Sequence, residues 1–275
     1  MQRQQSGRMD DLPRLVTSFW LWPVVMFVGA IAFFVSPGEY GGTATDLLHG
    51  LCAQTPSHTL TFGDRPLPFD SRMTGIYGGF LVTIAWIVAT GRLLRYGNPP
   101  KLVVAVLAAL VGLMAVDGFN SLFTDLGIWH PYTPSNAMRV GTGYGTGVAL
   151  AVALSWLLAS SLWHLSVNTA GVTRPRELAM PIGLLAAYGV LLWWRPEWLH
   201  LPVSALLVIS AWIVVTMLAL VIVLLALRLD ATIRHVEQLH VPVATASLLA
   251  IVIMMALAGG RFWIEHQFGI TNAMM

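Results

Sequence analysis

Asp117 is the residue around which chemistry would gather in this chain. It stands inside an apolar run, 102–122, with Asn120 one helical turn further along the same face. A carboxylate at that depth in hydrocarbon is costly unless water or a partner meets it, so a cation is expected nearby. Arg72 and Arg139 are the candidates, because they open the neighbouring apolar runs 73–91 and 140–162 on the same side as Asp117. Asp70, Thr74, Tyr77 and Thr142 lie close enough to complete a polar network. His58 adds a group that titrates near neutral pH. Two arginines and a carboxylate suit the anchoring and orientation of an anion. Asp117 or Asp70 as base, with His58 as acid or base, would suit proton transfer. A salt bridge that only fixes helix packing explains the same residues, and the sequence leaves that open.

His49, Cys52, His58 and Asp70 are residue types that bind metals, and His49 and Cys52 would share one helical face. They lack the paired spacing of zinc motifs, so no metal is assigned, and the cofactor stays unknown. The plain reading is a small buried thiol and two solvated or hydrogen-bonded histidines. With one cysteine there is no intramolecular disulfide. His164 reads as an interfacial histidine, and Trp193, Trp194 and Trp198 as an aromatic belt. His200 and His266 have Glu197 and Glu265 close in sequence, which is taken as coincidence.

The elements that must hold these groups follow from composition. Residues are 56% hydrophobic and only 10% charged, and mean hydropathy is +0.72, which leaves too few charges to cover a soluble globule. The Lys and Arg residues are scattered, so no nucleic-acid footprint is visible. A bilayer core needs about 20 apolar residues in a helix. Seven segments meet that test, 15–35, 73–91, 102–122, 140–162, 178–194, 202–225 and 241–260. Helix is the expected form, since unpaired backbone groups are not tolerated in lipid and no barrel alternation is present.

The run 15–35 is too long for a secretion signal and reads as a retained anchor. Ten of the fifteen Lys and Arg residues fall on the side of the amino terminus and five on the other. The amino terminus is therefore expected in the cytoplasm and the carboxyl terminus outside. The layout is an all-α integral membrane bundle of seven helices. It comprises a cytoplasmic segment 1–14, a transmembrane bundle 15–260, an extracytoplasmic cap 36–72 and an extracytoplasmic tail 261–275. In the cap, 45–54 reads as an interfacial helix with Thr45 as its cap and Leu47, Leu48, Leu51 and Cys52 as its apolar face. Residues 59–69 alternate around a Gly63-Asp64 hairpin turn, until Pro66 and Pro68 end strand pairing. Residues 228–240 carry mixed charge and extend the sixth helix.

Glycines point the same way as the charges. Gly75 and Gly79 in the second span, with Gly141, Gly145, Gly143 and Gly147 in the fourth, form small-xxx-small patterns that let backbones approach. They favour a tight core of the second, third and fourth spans around Asp117. A broken helix start over 141–147 would explain the second set equally well.

Residues 51–80, LCAQTPSHTLTFGDRPLPFDSRMTGIYGGF, carry Pro-Ser-His, Leu-Pro-Phe and Thr-Gly-Ile-Tyr in that order. The pattern continues at Asp117-Gly118-Phe119-Asn120-Ser121 and Asn136-Ala137-Met138-Arg139. Together these resemble an uncharacterised prokaryotic membrane-protein family, a domain of unknown function, over about residues 48–155. The resemblance implies a prokaryotic inner-membrane location and no defined reaction. Where that family has a Cys-His pair this chain has Cys52-Ala53, and where it has further cysteines this chain has Asp70 and Met73. A thiol-rich metal or redox site is therefore not implied here.

Three function classes fit. The first binds or translocates a small polar ligand or lipid head group at an outer vestibule, using Asp117, Asn120, Arg72, Arg139, Asp70, Tyr77 and His58. The second is a membrane-embedded enzyme acting on a lipid-linked or extracytoplasmic substrate. The third is a non-catalytic subunit of a membrane complex. Seven spans do not divide into equal inverted repeats, which argues against a conventional secondary transporter. No nucleophile–base constellation is present to favour the enzyme.

Overall fold

A computed structural model describes residues 40–93, 95–162, 167–227 and 239–269. The expected anchor 15–35, the segment 1–14, the stretch 228–238, His164 and residues 270–275 lie outside them. The other six expected spans are all present as helices long and apolar enough to cross a membrane. In chain order the described elements begin with α1 (Tyr40–Leu48), β1 (Thr59–Phe62) and β2 (Arg65–Asp70). Then come α2 (Ser71–Ala89), β3 (Arg95–Gly97), α3 (Lys101–Asp125), α4 (Asn136–Leu162) and β4 (Val167–Ala170). The last three are α5 (Ala179–Trp194), α6 (His200–Leu227) and α7 (His240–Phe268).

Local chemistry sets the helix ends. Asp70 caps α2, its carboxylate accepting from the Met73 N–H at 2.8 Å. Pro99 and Pro100 precede α3, where the missing N–H does no harm. Gly269, at φ +62°, stops α7 in the left-handed conformation favoured beyond a helix end. Residues 261–268 thus continue the last helix rather than forming a separate tail.

The helix pair α2 and α4 packs most closely, and glycine permits it. A Cβ at Gly75 or Gly79 would run into the carbonyls of Val140 or Tyr144, and one at Gly143 or Gly147 into those of Arg72 or Ile76. Gly145 instead faces Leu110 of α3, and Gly141 has nothing near it among the described residues. The expected packing face is therefore real for four of the six glycines, and α4 is continuous through 141–147 rather than broken. Helix α3 is peripheral. It buries Val103, Asp117, Asn120 and Ser121 and turns Val104, Leu113, Val116, Phe119 and Leu122 outward, the distribution expected of a helix against lipid.

The cap differs from expectation in two ways. Its helix covers Tyr40–Leu48, not 45–54, so Thr45 lies inside it. Gly50 explains the stop: the chain there presses on the backbone of Leu257 and Ala258 in α7, with no room for a Cβ. His49 and Cys52 therefore do not share a helical face, although Leu48 and Cys52 are both buried as an apolar pair. The hairpin turns at Gly63, φ +60°, as expected. Its pairing runs past the prolines, with Thr61 opposite Pro66 and Thr59 opposite Asp70 across a bulge. A ribbon of two strands tolerates proline because each strand needs only one bonded edge. The proline carbonyls remain acceptors, Pro66 O taking the His200 Nε2–H at 2.9 Å and Pro68 O a Gln54 amide proton at 3.0 Å.

On the opposite face β3 and β4 pair in parallel. Arg92 there donates to Gly171 O and forms an ion pair with Glu177.

Candidate functional site

Three helices bring the expected residues together at the cap face. Asp117, only 1% exposed, points inward from α3. The Arg72 guanidinium reaches across from the first turn of α2 and donates to Asp117 Oδ2 at 2.8 Å and to Ser121 Oγ at 3.1 Å. The Tyr132 hydroxyl, from the loop joining α3 to α4, donates to Asp117 Oδ1 at 3.0 Å. Asn120 fastens that loop by donating to Tyr132 O at 2.8 Å, and its Oδ1 faces Tyr132 N at 3.4 Å. Thr142 lies 3.5 Å from Asp117 Oδ2, but its single proton has a better acceptor in Met138 O at 2.9 Å.

Arg139 does not pair with Asp117, contrary to the expected convergence. It sits about one turn nearer the cap than Thr142, which is level with the carboxylate. Its terminal nitrogens donate to Asn136 Oδ1 at 3.0 Å and to His58 Nε2 at 3.1 Å. A guanidinium only donates, so His58 Nε2 must be the unprotonated acceptor and the imidazole is neutral. Burial, then the Arg139 charge, holds His58 below its ordinary value, against the opposing pull of Asp125 and Asp70. Asp125 Oδ1 is 3.7 Å from the same nitrogen. The Nε atoms of both Arg72 and Arg139 are buried and have no hydrogen-bond partner among the described residues.

Asp70 and Tyr77 do not join the cluster. Asp70 is occupied as the α2 cap, and Tyr77 stacks on Phe69 beneath the hairpin with ring centroids 4.6 Å apart. Thr74 likewise turns to Phe69 O. The potential metal set disperses: His49 goes to Gln54 and Glu265, His58 to Arg139, and Asp70 to its cap. Among the described residues no three His, Cys, Asp or Glu side chains are gathered to hold a metal.

Two contributions were missing from the sequence reading. Tyr132 was hidden in a polar loop, where only its placement between Asp117 and Arg139 could have marked it. The second is a latch between cap and α7. His49 Nε2 lies 2.7 Å from Glu265, which also accepts from Arg261 at 2.8 Å. Arg261 further donates to the carbonyls of His49, Cys52 and Ala53. Glu265 is thus part of a built contact with His49 and Arg261.

Residues 52–153 match the family described as a predicted membrane protein, DUF2085. The matched segment starts at the cap cysteine and ends within α4. It contains every side chain of the Asp117 group and of the Arg139–His58 group, and leaves out His49, Arg261, Glu265 and α5 to α7. The resemblance expected over 48–155 is therefore present with slightly narrower bounds. That family description agrees with the apolar helices: the chain is a multi-pass membrane protein. No curated protein and no solved structure matches it.

Proposed function

We propose that this membrane protein binds a small polar ligand or a lipid head group at its cap face, with Arg139 as the anion anchor. The observation behind this reading is the state of that guanidinium. It is 6% exposed, and among the described residues it has no carboxylate partner, only neutral Asn136 and His58 and an unpartnered Nε. The Asp125, Asp117 and Asp70 charges favour this cation without forming an ion pair to it, and an oxyanion meeting Arg139 and the open Nε of Arg72 would give both a direct partner. Asp117, held by Arg72 and Tyr132, would orient the polar part of the ligand. Catalysis is the weaker reading, because the lone pair His58 would need as a base is already engaged by Arg139. A role confined to packing, as in a non-catalytic subunit, draws support from the Tyr132 hydroxyl already filling a position on Asp117.

The test is thermal unfolding of the detergent-purified full-length protein with inorganic phosphate and with phosphatidic acid, with mass spectrometry of co-purified lipid alongside. Stabilisation by either probe that disappears in Arg139→Gln supports the proposal. No stabilisation by either, with Arg139→Gln and Asp117→Asn functioning normally in cells, overturns it in favour of packing.

A further inference from the structure

An open groove of about 470 Å³ lies beside the hairpin on the cap face, bordered by Arg65, Glu197, Trp198, His200 and Leu201. His200 forms its floor and is buried, with Nε2 bound to Pro66 O. Arg65 leaves the hairpin turn at the start of β2, while Glu197 rests its methylenes against Gly63, where a side chain would crowd it.

Arg65 and Glu197 are opposite charges exposed in one groove, yet among the described residues neither side chain has a hydrogen-bond or ion-pair partner. The groove also sits at a defined depth. Trp193, Trp194 and Trp198 are 81%, 70% and 69% exposed at the junction of α5 and α6, as tryptophans are at the level of lipid head groups. We infer that this groove binds the head group of an ethanolamine phospholipid, the phosphate on Arg65, the ammonium on Glu197 and the glycerol end against Trp198 and Leu201. A zwitterion satisfies both charges at once, which an anionic or purely cationic ligand does not. A primary ammonium is favoured over a quaternary one because its N–H groups can donate to the carboxylate. The site is separate from the Asp117 cluster and does not depend on that cluster binding anything.

Full-length protein in detergent is titrated with phosphatidylethanolamine, phosphatidylcholine and phosphatidylglycerol of identical acyl chains, and bound lipid is read by native mass spectrometry. The ethanolamine lipid should be held roughly fivefold more tightly than the choline lipid, the scale of one exposed charge pair. Glu197→Gln should remove that preference, and Arg65→Gln should weaken retention of all three lipids. Both positions are on the surface, and an unchanged melting temperature checks that the variants fold. Equal retention of the three lipids, or a preference that survives Glu197→Gln, overturns the inference. Glycerophosphoethanolamine identifies the source. Full competition supports the groove as a site for free head-group compounds, and absence of competition supports it as a site for bilayer lipid.

Discussion

The Tyr132 hydroxyl closes over the Asp117 carboxylate at 3.0 Å, and the Tyr132 backbone is pinned to Asn120 from both its N–H and its C=O. One loop residue therefore covers the most buried charge among the described residues, while Arg72 neutralises it from the other side. The two contributions should differ in size. Tyr132→Phe removes one hydrogen bond and should lower stability by about 1 kcal/mol, whereas Arg72→Ala strands a buried carboxylate and should cost roughly 3 kcal/mol or more. Thermal unfolding in detergent orders the two, and equal effects would show that Arg72 does not compensate Asp117.

Asp125 provides the control for Asp117. It ends α3 with a side chain 52% exposed, so its charge stays hydrated. Asp117→Leu should impair function in a complementation assay far more than Asp125→Leu. Equal tolerance would remove the cap-face cluster from consideration as a site.

Glycines on α4 divide by what they face. Gly147→Ala would force the α2 backbone at Ile76 away and should destabilise by about 2 kcal/mol. Gly141→Ala meets nothing and should change stability by no more than about 0.5 kcal/mol. Melting temperatures of the two variants distinguish the glycine that meets a backbone from the one that does not, and equal values would argue against a close α2–α4 approach at Gly147.

His58 predicts a pH dependence of definite sign. Its folded-state value lies below the usual 6.5, chiefly through burial and then Arg139. Charged or titratable groups reach it from α2 (Arg72 and its cap Asp70), from α3 (Asp125) and from α4 (Arg139). A histidine held neutral in this way contributes stability that is fully present above its unfolded value and is lost as pH falls through the lowered folded value. Melting temperature should therefore decline as pH falls below about 6.5. His58→Gln should flatten that decline, and an identical profile in the variant would exclude His58 as its source.

Cys52 reports on the cap latch. Burial, followed by the Asp70 charge, pushes its thiol up to about 12, so almost no thiolate exists at neutral pH. N-ethylmaleimide should label it slowly in the folded protein and rapidly after denaturation. Arg261→Ala, which frees the carbonyls of His49, Cys52 and Ala53, should accelerate labelling of the folded form. An unchanged rate would mean that the cap holds to α7 without Arg261.

The spans were legible in residue order because lipid imposes a requirement on each helix separately. Twenty or so apolar residues suffice whatever the neighbours are, so α2 to α7 could be placed within a few residues, with α7 overrunning its expected end by about two turns. The need of Asp117 for a partner was also visible, since a lone carboxylate in an apolar run breaks the pattern on its own face. Which partner it takes was not. Arg72 and Arg139 are equivalent by residue type and by position at a helix end, and only the rotation and depth of α2 and α4 separate them. Those depend on which glycines meet a backbone, a property of two helices together. The same holds for Tyr132 and for the His49–Glu265 contact across 216 residues. Hydropathy is a sum over neighbours along the chain, whereas a polar partnership depends on a distance across it, and packing alone sets that distance.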